Sequence, residues 1–152
     1  MRSFIFFILS VIALTGFSYS DINKLPPILD PSDSQRKEYD LPPRFFKKSL
    51  LVQDILIATS DNVSDLAVNE SAYLFDQMMK DINPDVADRI RSRKVLCILV
   101  GKDELTSQIP QFVSDKTGKD LDFYNWRQRG FLRYIKGRPV VLFAEEDVLE
   151  FK

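Results

Sequence analysis

The chain of 152 residues has no histidine and only one cysteine. Without histidine, Ser-His-Asp and Cys-His catalysis are excluded, as is every zinc site built on imidazole. With a single thiol, a structural zinc site and an internal disulfide are excluded too. A hydrophobic core must therefore hold the fold. Cys97 lies in the apolar run VLCILV, where cysteine serves as a small buried hydrophobe and not as a reactive thiol; an intermolecular disulfide is the other alternative. Any chemistry falls to carboxylates, Lys, Tyr, Ser or Thr, and no cofactor is implied.

A membrane-length apolar run is also missing. Phe4 to Leu14 is apolar except at Ser10, short of the ~20 residues that span a bilayer. Arg2 precedes this run, and the small residues Ser18 and Ser20 stand before Asp21. That order predicts a secretory signal peptide over residues 1–20 and an exported mature chain with no membrane span. Neither sign of charge is in excess: 21 basic residues face 22 acidic ones, and loss of Arg2 takes the net charge from −1 to −2. Such a balance gives no global attraction to polyanions, and export argues against a nucleic-acid partner.

Residues 21–48 hold five of the eight prolines, including two LPP strings. Proline fixes φ and removes backbone donors, so this stretch is expected to be an extended N-terminal arm acting as a linker, propeptide or strap. Lys47-Lys48 is a candidate dibasic processing site. Residues 49–152 are expected to form a single α/β domain, with about three strands in a small mixed or parallel sheet covered by two helices. Residues 50–58 (LLVQDILIA) read as one buried strand. Ser64 or Asp65 caps a helix whose core face is Ala67, Ser71, Leu74, Met78 and Ile82. Asn83-Pro84 opens a second, short helix to about Arg93. KVLCILVG, 94–101, is apolar at consecutive positions, as in a strand buried on both faces, and a crossover makes it parallel to the first. Val140 to Ala144 forms the third strand, followed by a turn or short helix over 145–150.

Several short strings suggest chemistry. Lys102 to Leu105 spell KDEL, an address read only at a free C-terminus, which this is not. Asp115 to Gly118 spell DKTG, better explained as a polar turn. Asp115, Asp120 and Asp122 are oxygen donors without the spacing of a calcium loop. Asn62-Val63-Ser64 and Asn69-Glu70-Ser71 match the N-glycan acceptor pattern, which suits export. Residues 123–138, FYNWRQRGFLRYIKGR, interleave aromatics with Arg127, Arg129, Arg133, Lys136 and Arg138 and contain no acid. These five cations make either an anion-binding surface for a sulfated glycan or a structural cluster paired with nearby acids.

Val95 to Gly101, Ile109-Pro110, Trp126, Arg129-Gly130, Pro139 and Glu145-Glu146 together resemble the segment that precedes the HExxH helix in certain secreted zinc metallopeptidases. The resemblance covers residues 95–149. It implies that the aromatics of the Trp-x-x-x-Arg-Gly segment pack and that Arg129 binds a carboxylate or carbonyl, with Glu145, Glu146 and Asp147 as acid partners. The zinc-binding helix is absent, so no catalytic residue carries over. Two expectations follow. The chain is a secreted, non-catalytic binding or matrix component, a mineralised or glycan-rich matrix included. Alternatively, it is the upstream portion of a secreted metallopeptidase whose catalytic half lies beyond this sequence.

Overall fold

A computed structural model describes residues 24–149. The expected signal peptide lies outside the described residues. The chain forms a mixed sheet of five strands, in the order β1-β2-β3-β5-β4, with five helices among the described residues. The strands are β1 (Lys48–Val52), β2 (Ile55–Thr59), β3 (Leu96–Val100), β4 (Phe131–Ile135) and β5 (Arg138–Ala144). The helices are α1 (Asp33–Tyr39), α2 (Asp65–Asp81), α3 (Pro84–Ser92), α4 (Gly118–Trp126) and α5 (Glu145–Leu149). None of them is long and apolar enough to cross a membrane.

The α/β class stands, but five strands replace the expected three. Residues 50–58 are two antiparallel strands, with Val52 opposite Ile55. The turn residues Gln53 and Asp54 both have positive φ, 49° and 60°, the backbone of a two-residue hairpin whose twist suits the strands. Lys136 and Gly137, at 51° and 79°, close the second hairpin between β4 and β5. β2, β3 and β5 form the parallel centre, and each hairpin adds one antiparallel edge. β3 is buried at every position, so the continuous apolar run of KVLCILVG reflects cover on both faces.

Alternation along the strands divides the core in two. Leu56, Ala58, Leu96, Ile98, Val100, Val140 and Leu142 face Tyr39, Leu41, Phe46, Ile109, Phe112 and Tyr124. On the other face, Ile55, Ile57, Cys97 and Leu99 meet Val63, Ala67, Val68, Ala72, Met79 and Ala87. Ser64 caps α2 by accepting from Ala67 N at 3.2 Å, and Asn83 accepts from Asp85 N ahead of Pro84 at the first position of α3. The buried stripe of α2 is rotated from the expected one. Ala67 and Ser71 are inside, but Leu74 and Met78 are exposed, because the helix lies over β1 and β2 and leaves this flank beyond its contact.

The extended arm is the second correction. Ser32 and Gln35 form a reciprocal capping box that starts α1, and Asp40 ends it in the left-handed region. Leu29 exchanges backbone hydrogen bonds with Ser49 at 2.9 and 2.7 Å, so the segment extends the β1 edge by one bridge. Tyr39, Leu41 and Phe46 are buried in the sheet's core. Arg138 donates to Glu38 O at 2.7 Å and lies 4.2 Å from the Tyr39 ring centroid; Lys136 pairs with Asp40 at 2.8 Å. Lys94 bonds Glu38 and holds its carboxyl below the ordinary range. Residues 24–47 thus wrap the β1 edge as a strap: Leu25 and Ile28 pack against the α2 side of the sheet, Leu29 bridges Ser49, and Tyr39, Leu41 and Phe46 enter the core on the opposite face. Lys48 belongs to β1 and bonds Val63 O and Asp65, so the dibasic pair is no open loop.

Cys97 is fully buried, and burial pushes its thiol well above its ordinary value. The folded protein is expected to ignore a thiol reagent such as DTNB and to react once denaturant is added. Stoichiometric labelling of the native monomer, or a dimer that disappears on reduction, would contradict this burial.

Candidate functional site

In an open sheet with a parallel centre, ligands bind beyond the carboxyl ends of the strands. Here β2 ends at Thr59, β3 runs through Val100 into Gly101, and β5 runs directly into Glu145 and Glu146. These three ends are joined by a buried polar network. Arg129, coming from the loop between α4 and β4, is buried. It donates from Nη1 to Glu104 O at 2.6 Å and from Nη2 to Gly101 O at 2.9 Å. Its Nε and Nη2 also grip both oxygens of Glu146, at 2.9 and 3.0 Å. One planar guanidinium therefore ties the turn after β3 to the end of β5.

Two further carboxylates act on backbone. Glu104 accepts from Gly101 N at 2.8 Å and from Asn62 Nδ2 at 3.0 Å. Glu145 accepts from Ser64 N at 2.8 Å and from Lys102 N at 3.3 Å. Each of these acids thereby satisfies an N–H in a turn, the role a carboxylate fills where backbone lacks a partner. Gly101 leaves the space that Glu104 uses: a Cβ there would meet Glu104 Oε2 at 3.0 Å. Thr59 completes the link between strand ends by donating to Leu99 O at 2.9 Å.

Outside this network lies a groove between the strap and the strand ends. Its polar half, about 440 Å³, is bordered by Arg44 and Lys47 on the strap and by Asp61, Asn62 and Asp103 on the sheet side. A more apolar half of about 520 Å³, lined by Pro42, Pro110 and Val113, adjoins it. Arg44, Phe45 and Gln108 line both halves, so Phe45 stands at the junction. Phe45 packs edge-on against buried Phe46, with ring centroids 5.0 Å apart, which anchors it to the core.

The five cations of residues 123–138 are dispersed. Arg129 is inside. Lys136 and Arg138 hold the strap. Arg133 lies over the Phe112 and Phe131 rings, at 5.5 and 5.4 Å from their centroids. Arg127 is exposed at the end of α4. Trp126 is exposed as well, contrary to the packed aromatics that the resemblance implies; it shares an outward face of α4 with Phe123. Asn62 is exposed at the groove's rim, whereas Asn69 is half-buried on α2. Asp115, Asp120 and Asp122 do not converge: no group of three potential metal ligands is found among the described residues. Zinc does not fit this chain, which has no histidine to hold it. Sequence reasoning missed Arg44 and Phe45 and took Lys47 only as half of a dibasic processing site, because all three fall in the stretch read as an arm. Their signal was the RFFKK string after the second LPP.

Comparison with known protein families, curated proteins and solved structures finds no match for this chain.

Proposed function

We propose that this protein is an exported, non-catalytic binding component of an extracellular matrix, and that the groove over Phe45 receives a segment of an anionic glycan. The observation that carries this reading is the division of labour at the strand ends. Glu104, Glu145, Glu146 and Arg129 are committed to holding turns, while Arg44, Lys47, Asp61 and Asp103 line the open groove above them. A rigid floor beneath a polar rim with one aromatic platform suits recognition, since few ordering costs remain for the protein to meet on binding. Acidic groups of the glycan meet Arg44 and Lys47, hydroxyls meet Asp61, Asn62, Asp103 and Gln108, and a sugar's C–H face lies on Phe45.

The test is retention on immobilised heparin at physiological salt. Arg44→Glu with Lys47→Glu is expected to abolish it, whereas Arg127→Glu is expected to leave it nearly unchanged. An unretained wild type overturns the reading. Loss through Arg127→Glu alone would move the site to α4.

A second reading, the upstream portion of a longer secreted metallopeptidase, is favoured by one observation. Arg129 links Gly101 to Glu146, three of the residues that carry the resemblance. It is tested by reading the transcript past the Lys152 codon: an open frame encoding HExxH supports it, and an immediate stop removes it.

A further inference from the structure

β4 and β5 are apolar on both faces. On the face toward Tyr39 and Phe112, Phe131, Val140 and Leu142 join the core, and Arg133 and Arg138 lie over aromatic rings there. The opposite face should carry polar residues if it met water. It carries Leu132, Tyr134, Val141 and Phe143 instead: Leu132 stands opposite Val141, Tyr134 opposite Pro139, and Phe143 beside Leu99. α2 does not extend over these strands. Its exposed flank borders them, and Phe75 meets Phe143 at 6.3 Å between centroids. A groove of about 260 Å³ runs along the junction, lined by Leu74, Phe75, Met78, Phe143 and Val148, with Asp147 as its single charge.

The surface therefore has an apolar helix flank, Leu74 and Met78, beside an apolar strand face, Phe143, Leu132 and Tyr134. A helix flank beside a sheet face can close on a second copy under a two-fold axis, each copy's flank covering the other's strand face. The exposed area of this patch alone meets the lower bound of a specific interface. Leu74, Met78, Leu132, Tyr134 and Phe143 are 50, 43, 56, 64 and 36% exposed. With side chains of this size presenting roughly 150–250 Å² when free, they leave on the order of 500 Å² per copy. Two copies together reach the ~1,000 Å² at which specific interfaces begin, and the patch has the charge-poor centre such interfaces share.

We infer that this face is the interface of a homodimer in which α2 of each copy packs across β4 and β5 of the other. The dimer leaves the Phe45 groove free, since that groove lies beside the strap on the opposite face. The experiment uses the secreted chain from its native source and two surface double variants, Leu74→Glu with Met78→Glu and Leu132→Lys with Tyr134→Lys. All four positions are exposed, and circular dichroism verifies that both variants keep the fold. Sedimentation equilibrium is expected to show a wild-type dimer at micromolar concentration. Each variant alone is expected to dissociate with a dissociation constant raised roughly 100-fold or more, because an unpaired charge enters an apolar contact. Mixing the two is expected to restore a heterodimer, with acidic helix flank against basic strand face in one of its two contacts. A monomeric wild type overturns the inference, including one whose native chain covers this face with a further segment. So does a dimer unaffected by both variants, or a mixture that stays monomeric.

Discussion

Arg129→Ala is expected to lower the thermal midpoint by roughly 10–20 °C, corresponding to a loss of about 3–5 kcal/mol in a domain of this size. The cost comes from what the substitution strands. Glu146 loses its only ion-pair partner among the described residues, and the carbonyls of Gly101 and Glu104 lose buried donors. Arg129→Lys is expected to recover little of this, since an ammonium cannot reach two carbonyls and both oxygens of a carboxylate in one plane. Arg127→Ala, two residues away and exposed, is expected to stay within about 0.5 kcal/mol of wild type. Chemical and thermal denaturation of the three variants side by side would check it. Equal stability of Arg129→Ala and wild type would mean that the guanidinium is a surface ornament and that the three strand ends are held by something else.

That contrast also marks how far the residues themselves could lead. Local acids at 145–147 pointed to a carboxylate for Arg129, and Glu146 is the one it holds. A carbonyl partner was expected in kind, but not that it would be the carbonyls of Gly101 and Glu104. They lie 28 and 25 residues away and become neighbours only when β3 and β5 pair. Elements with strong local signals were legible: the apolar run of β3, the Ser64 cap, and Asn83-Pro84 at the start of α3. The β1–β2 hairpin was not, because Gln53-Asp54 adopts positive φ without the glycine that normally announces such a turn. Unbroken by a turn signal, two short strands look like one. β4 was hidden differently. Arg133 and the basic residues flanking the strand suggested a charged surface segment, yet Arg133 packs over aromatic rings and the strand's other face is apolar.

The strap shows the same limit at larger scale, and it carries the second large effect. Phe46→Ala is expected to cost about 3–5 kcal/mol, as for any large aromatic removed from a close-packed site. Phe46 is fully buried in the cluster with Leu41, Leu56 and Ile98, and Arg36 donates to its carbonyl at 3.2 Å. Pro42 and Pro43 do not release this segment from the fold. They sit in the turn from which Pro42 O accepts the N–H groups of Phe45 and Phe46. Proline content measures backbone stiffness and missing donors; whether a stretch joins a core depends on the apolar side chains between the prolines, here Leu41, Phe45 and Phe46. With a stability of about 5–15 kcal/mol typical of a domain, this one substitution consumes a large part of it. Removing everything before Ser49 is expected to leave an insoluble or unfolded product, because it uncovers the sheet face from Leu56 to Leu142. Urea titration of Phe46→Ala against wild type decides the matter. A midpoint unchanged within error would make residues 24–47 a disposable arm and would leave the groove over Phe45 without a wall.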